Sequence, residues 1–175
     1  MQEDGNQYAD FAPLPDGAAY LFGLWLGDGS RSKRLLASGK MGYYPNIATS
    51  SNEVLCRALV ALAPFRKPKL QSHRGCTYFS LGGEFSALMK LRGINLSWTS
   101  REKRLPILIS LKERKELLEG LWDSDGHISK PEYREARYVT MSEPLRDGIG
   151  ALLRELGMES KGYRAGNGYF ILLGS

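Results

Sequence analysis

The sequence predicts an α+β fold: a pseudo-twofold tandem αββαββα repeat, with two antiparallel sheets and two packed central helices. Three observations predict it. First, "GLWLGDG" (Gly23–Gly29) returns as "GLWDSDG" (Gly120–Gly126), shifted by 97 residues (125 − 28 = 97). Second, the match continues beyond the motif. "ATSSNEVLCRALVALAPF" is echoed by "VTMSEPLRDGIGALLRELG", a Thr/Ser pair ahead of a helix, and "TYFSLGG" by "GYFILLG". Such self-similarity marks one supersecondary unit used twice. Third, 175 residues with 42% hydrophobic and 25% charged residues suit one compact domain or two small repeats sharing a core.

The elements follow in order. Residues 1–15, polar and Pro/Gly-containing, read as a tail. The first repeat, 16–96, opens with a helix over about Ala18–Gly27, with Asp16 as its N-cap. Strands are expected near Ser30–Leu36 and Asn46–Thr49, joined by a loop through Gly39 and Gly42. A helix over Asn52–Ala63 ends at Pro64. Strands near Lys69–His73 and Thr77–Leu81 turn through Arg74-Gly75, and a helix over Glu84–Leu91 ends at Gly93. The linker, 97–109, holds the basic run "REKRLP". The second repeat, 110–175, restarts with a helix over Leu111–Ser124. Strands follow near His127–Ser129 and Arg137–Thr140, then a helix over Glu143–Leu156, then strands near Glu159–Arg164 and Tyr169–Leu173. The trailing helix of the first repeat has no counterpart in the sequence of the second.

Gly23 and Gly27 share one helix face, as do Gly120 and Ser124, because residues four apart stack along a helix. Glycine costs about 1 kcal/mol inside a helix, so a stripe of small residues points to close backbone approach. The simplest use of two matching stripes is to pack the two helices together about a pseudo-twofold axis. Trp25 and Trp122, off the stripe, would anchor each helix in its own half. Parallel packing then brings Asp28 and Asp125 side by side at the negative helix ends. Two carboxylates there repel unless a cation joins them. Hard oxygen ligands suit Mg²⁺, with Mn²⁺ or Ca²⁺ as substitutes for binding. A metal so held can bind phosphate oxygens and activate water. Asp123, two residues before Asp125, faces away and is given no catalytic role.

The charge favours an anionic partner. The net charge is +5 and the pI about 9.2. Basic residues gather on the predicted strands and their loops: Arg31, Lys33, Arg34 and Lys40, then Lys69, His73 and Arg74. In the second half they are Lys130, Arg134, Arg137, Lys161 and Arg164. Alternation would send some of each set to one sheet face, where a two-stranded ribbon fits the DNA major groove. No apolar run approaches the roughly 20 residues that cross a bilayer, and no targeting signal is seen, so an intracellular protein without a membrane partner is expected. Cys56 and Cys76 make no disulfide framework and read as buried or idle thiols.

At "LFGLWLGDG" (Leu21–Gly29) and "LLEGLWDSDG" (Leu117–Gly126) the sequence resembles the LAGLIDADG homing endonucleases of the single-chain, two-motif type. "KRLP" (Lys103–Pro106), ahead of the second motif, is similar to the Lys-x-Ile-Pro of many members. The resemblance spans about Asp16 to the end. It implies a saddle of two four-stranded sheets in the major groove of a long asymmetric duplex target, and a monomer. The last acidic residue of each motif would bind metal: Asp28 and Asp125, with the carbonyls of Gly27 and Ser124 as further ligands. It implies double-strand cleavage across the minor groove. Many active members place Gln or Lys at the Thr/Ser end of the second strand; here those positions read Ser50-Ser51 and Met141-Ser142, which leaves Arg31 or Lys130 to supply a basic group. No intein splicing signature is visible, so a free-standing or intron-encoded enzyme is expected. The alternative on the same scaffold is an RNA maturase acting on intron RNA, or a non-cleaving DNA-binding regulator.

Overall fold

The computed structural model of the protein describes residues 11–128 and 136–173. It is built from five helices and eight strands, in the order α1 (Ala18–Leu26), β1 (Ser30–Leu35), β2 (Met41–Thr49), α2 (Asn52–Leu62), β3 (Gln71–His73), β4 (Cys76–Ser80), α3 (Gly82–Leu91), α4 (Leu111–Asp125), β5 (Gly126–Ile128), β6 (Ala136–Thr140), α5 (Glu143–Glu155), β7 (Ser160–Ala165) and β8 (Gly168–Leu173). Two four-stranded antiparallel sheets result, ordered β1-β2-β4-β3 and β5-β6-β8-β7. The same order recurs in each half, as the repeat predicts.

Helix α1, "AAYLFGLWL", is buried along its whole length. A helix apolar all round belongs at the centre of a protein, and this one packs against α4. The stripe explains how closely. A Cβ added at Gly23 would stand 2.2 Å from the Leu117 carbonyl oxygen, and one at Gly120 2.1 Å from that of Tyr20. One turn on, a Cβ at Gly27 would meet Ser124 Oγ. The partners advance together, 23 with 120 and 27 with 124, so the helices run parallel.

Each half packs its sheet on its helices through one strand face. Ile47 pairs with Phe79 in the first sheet and Tyr138 with Ile171 in the second, and all four are buried. In the first half α3 inserts Phe85 edge-on against Phe22 and Phe65, with ring centroids 5.4 and 5.0 Å apart.

A buried ion pair ties the halves to the linker. Arg92, at the end of α3, faces Glu113 of α4 at 3.2 Å, with both side chains almost wholly buried. The guanidinium also donates to the carbonyls of Ala12 and Ile107, at 2.6 and 2.9 Å. The carboxylate accepts from the backbone amides of Leu14 and Ile109, both at 2.8 Å. Every face of the pair is hydrogen-bonded, which is what a buried charge pair requires.

Several boundaries differ from expectation. Asp16 does not cap α1: the N-cap is Gly17, in the left-handed conformation at φ 77°, with no side-chain cap. The Gly17 amide instead donates to Glu116 of α4 at 3.1 Å, placing a carboxylate at the positive end of α1, while Asp16 pairs with Lys112. Strand β2 begins at Met41, so Gly42 lies inside it and the hairpin loop is only Leu36–Lys40. Cross-strand pairing with β1 extends the strand past what local composition suggested. Helix α3 starts at Gly82 rather than Glu84, and α4 runs one residue further, to Asp125. Arg74 and Gly75 do form the turn, both with positive φ (48° and 80°), as a two-residue hairpin of matching twist needs. Of the two thiols expected to be buried or idle, Cys56 is exposed and Cys76 half-buried, and both are free. Among the described residues no helix is long and apolar enough to cross a membrane.

Candidate metal centre and nucleic-acid interface

Glycine follows each motif aspartate because the chain must turn tightly against the helix it leaves. A Cβ at Gly29 would lie 2.2 Å from the Trp25 carbonyl oxygen, and one at Gly126 2.4 Å from that of Trp122. The turns hold Asp28 and Asp125 at the ends of α1 and α4, where the two carboxyls come within hydrogen-bonding reach. Burial, and then the neighbouring Asp28 charge, push the Asp125 carboxyl up to about 6. Asp28 is exposed and Asp125 half-buried. The geometry therefore concentrates negative charge at one point between the halves. Among the described residues no three or more His, Cys, Asp or Glu side chains gather to hold a metal, here or elsewhere, so a cation at this pair would have two carboxylates and complete its shell with carbonyl or water oxygens. Hard carboxylate oxygens raised in energy by each other fit a hard divalent cation.

A residue not predicted as part of the site lies beneath it. Lys103 of "KRLP" is buried, and its ammonium donates to four carbonyls at the end of α1: Trp25 at 3.0 Å, Leu26 at 2.9 Å, Gly27 at 3.0 Å and Gly29 at 3.2 Å. It thus caps the negative end of α1 with a full positive charge. Desolvation lowers its pKa to about 8, while Asp125 and Asp28 work to raise it. The signal was present in the sequence as part of a linker motif, but spacing alone does not tell that a linker folds back under a helix end. One consequence concerns the predicted carbonyl ligands: Gly27's oxygen is already engaged by Lys103. Ser124 turns its hydroxyl back to the Leu121 carbonyl, at 2.8 Å.

The second-strand ends carry no acid or base. Ser51 Oγ accepts from the Val54 amide and Ser142 Oγ from the Leu145 amide, each at 3.3 Å, so both serines are N-caps, of α2 and α5. Ser142 also donates to the Lys103 carbonyl at 2.6 Å, fixing the backbone that carries the lysine. Tyr20 donates to Asp123 at 2.9 Å, which gives Asp123 a structural partner away from the paired carboxyls.

Known proteins share this architecture. Residues 112–173 match the family model of the LAGLIDADG-like domain. The homing endonuclease I-DmoI, in its complex with DNA and Mn, superposes with a TM-score of 0.63 at 15% identity, over 90% of this chain and 89% of that one. Its complex with DNA and Ca gives 0.64 at 17% identity, over 90% and 82%. Full-length DUF199/WhiA from Thermatoga maritima gives 0.60 at 12% identity, over 94% of this chain and 53% of that one. No curated protein matches the chain. The chain has the LAGLIDADG fold.

On that fold each sheet has one face against the helices and one open, and strand register assigns the predicted basic residues to them. In the first sheet the buried face carries Ile47, Pro45 and Tyr43, and its register partners Arg31 and Lys33 lie on that side. Arg31 donates to the Trp98 carbonyl and stacks over Tyr43 with 5.2 Å to the ring centroid, so it braces the linker rather than supplying the basic group expected of it. Arg34 and His73 fall on the open face, Lys40 and Arg74 in the hairpin turns. Lys69 lies just before β3, lining a cleft with Ser30, Asn46 and Gln71. In the second sheet Arg137 and Lys161 are on the open face, while Arg164 shares the helix side with Tyr169, 5.9 Å from its ring. Lys130 and Arg134 lie outside the described residues.

Proposed function

We propose that this protein is a divalent-metal-dependent, site-specific double-strand DNA endonuclease. The observation that carries the proposal is the convergence of Asp28 and Asp125 at the ends of two helices in backbone contact, midway between two sheets with open faces. The two carboxylates would hold the cation, Mg²⁺ first, which would polarise a phosphate and supply a nucleophilic water when bound. The chain's own residues do the rest. The glycine stripes set the separation of the carboxylates. Lys103 neutralises the end of α1 and adds a fixed positive charge beside the pair. Arg34, Arg137 and Lys161 offer cations to phosphate or guanine edges. The fold shared with I-DmoI, solved with DNA and Mn, supports the reading. We place the enzyme inside the cell, acting as a monomer on an intron-free or otherwise uninterrupted target.

The second reading is a non-cleaving DNA-binding regulator, or a maturase binding intron RNA. What favours it is the use of Ser51 and Ser142 as helix caps, which leaves no acid or base at the second-strand ends. Lys103 answers that point, since it brings a cation to the carboxylates from the linker. Cleavage of a plasmid library of candidate sites in Mg²⁺ tests the proposal. Wild-type protein should give linear product, and Asp28→Asn and Asp125→Asn should give none while shifting the same duplex on a gel. Cleavage retained in either variant would sink the metal assignment. Binding without cleavage by the wild type would establish the second reading.

A further inference from the structure

The open faces of the two sheets differ in chemistry. On the first sheet two cross-strand rows are polar, Ser30, Asn46 and Ser80 in one and Ser32 and Tyr44 in the next, with Asn46 Nδ2 donating to Ser32 Oγ at 3.2 Å, and a third sets Tyr78 between Ala48 and Gln71, with no aliphatic side chain larger than alanine. On the second, Val139 pairs with Phe170, and Leu172 stands between Arg137 and Lys161. Val139, Phe170 and Leu172 are only half-buried, and Tyr163 extends the strip by stacking on Phe170 at 5.3 Å. A sheet face turned to water ordinarily carries polar residues, so a contiguous apolar strip there marks a contact surface.

The row Arg137–Leu172–Lys161 says what kind of contact. Neighbouring strands lie about 4.8 Å apart, so each cation sits directly beside the leucine. An apolar protein partner would have to bury both cations unpaired. A polyanion that also presents methyl groups meets the whole row at once. That combination is the major groove of duplex DNA at thymine, whose C5 methyl projects among phosphates.

Resting on the DNA reading above, we infer that Val139, Phe170 and Leu172 read thymine methyl groups in the half-site under the second sheet. The first sheet reads its half-site by hydrogen bonds instead. Recognition is therefore divided by chemistry as well as by position. The half-site under the second sheet should be rich in T·A pairs at two or three adjacent positions.

The test removes methyl groups from the DNA, so folding of the protein is not in question. Sites are first selected from a random duplex pool by gel shift, with EDTA or with Ca²⁺. Deoxyuridine then replaces thymine in one half-site at a time. Each methyl lost from the half under the second sheet should weaken binding about fourfold, the worth of one buried methyl(ene). Substitution in the other half should leave binding unchanged. Leu172→Ser should bind the thymine site more weakly and lose the deoxyuridine penalty. Equal affinity for both duplexes, an equal penalty in both halves, or a penalty that persists in Leu172→Ser overturns the inference while leaving DNA binding intact. Failure to select any site under either condition overturns the DNA reading itself.

Discussion

The two motif helices look alike in sequence, yet their ends are finished differently. At the end of α1, Trp25 Nε1 donates to the Ser30 carbonyl at 3.0 Å and Lys103 gathers four carbonyls. At the end of α4, the equivalent Trp122 Nε1 is buried without a hydrogen-bond partner among the described residues, and so is the hydroxyl of Tyr138. Register makes Tyr138, opposite Gly126, the counterpart of Ile47 beside Gly29, so one half is apolar where the other carries a phenol. Desolvation drives that phenol's pKa well above its ordinary range, with the Asp125 and Asp28 charges adding to it. The contrast teaches that the pseudo-twofold axis governs backbone and glycine stripe, while the electrostatics of the two ends are set separately. One aspartate emerges exposed beside a capped helix, and the other half-buried above a neutral floor.

The comparison can be broken most sharply at Lys103. Lys103→Met removes the cation from one end only. Cleavage should fall about 10²–10³-fold, as when a preorganised donor is lost, with gel-shift affinity for the same duplex retained. Equal loss of binding and cleavage would reduce Lys103 to a structural cap.

The shared part of the two helices predicts equal costs. Gly23→Ala and Gly120→Ala each drive a Cβ into backbone that cannot swing aside. Each should destabilise by about 3 kcal/mol. Denaturant melts giving clearly unequal values would show that the axis is not obeyed even at the stripe.

The asymmetry of the aspartates predicts a pH dependence. The folded pKa of Asp125, about 6, lies above its ordinary value of 3.8. The folded protein thus holds a proton that the unfolded chain releases, and this contribution is fully present below about pH 4 and lost as pH rises through about 6. In EDTA, the difference in Tm between Asp125→Asn and wild type should grow in the variant's favour between pH 4.5 and 7.5. Added Mg²⁺ should raise the wild-type Tm at pH 7.5 and hardly at pH 4.5. A constant difference, or a Mg²⁺ effect independent of pH, contradicts the pairing of the carboxyls.

The smallest effect compares the tryptophans. Trp25→Phe loses a hydrogen bond and Trp122→Phe has none to lose among the described residues. The first should cost about 1 kcal/mol more than the second. Chemical melts of the two variants would decide it.

Much of this was legible in the sequence because the informative features were local or repeated. Two Asp-Gly ends in register, each behind a small-residue stripe, are enough to place the helices side by side and the carboxyls together. That both sheets share one strand order followed from the repeat, though not which order it is. Alternation also foretold that only some basic residues would reach the open faces, though not that Arg31 and the still exposed Lys33 would lie on the helix side. That depended on β2 starting at Met41 and on its register with β1, which cross-strand pairing decides. Asp16 misled because an Asp before a helix is normally its cap, while here Gly17 takes the cap position and gives its own amide to Glu116 in the other repeat. The roles of Lys103, although its linker motif stands in the sequence, and of Arg92 were hidden for the same reason: Lys103's carbonyl acceptors are 74 or more residues away, Arg92 reaches back 80 residues to Ala12 and 21 on to Glu113, and no periodicity encodes such contacts.

The Arg92–Glu113 knot bears on how such a chain can be divided. Arg92 belongs to the first repeat and Glu113 to the second, and the carbonyls and amides they engage come from the segment before α1 and from the linker. A gene severed between Ser97 and Trp98 would yield two polypeptides, one carrying a buried guanidinium without its carboxylate and the other the reverse. Leaving either charge alone costs about 3–5 kcal/mol. Neither fragment would do well as a homodimer, because each would bring two like charges to the same place. Fission here would produce committed heterodimeric partners, each the other's missing counterion, and the two pieces should co-purify when expressed together.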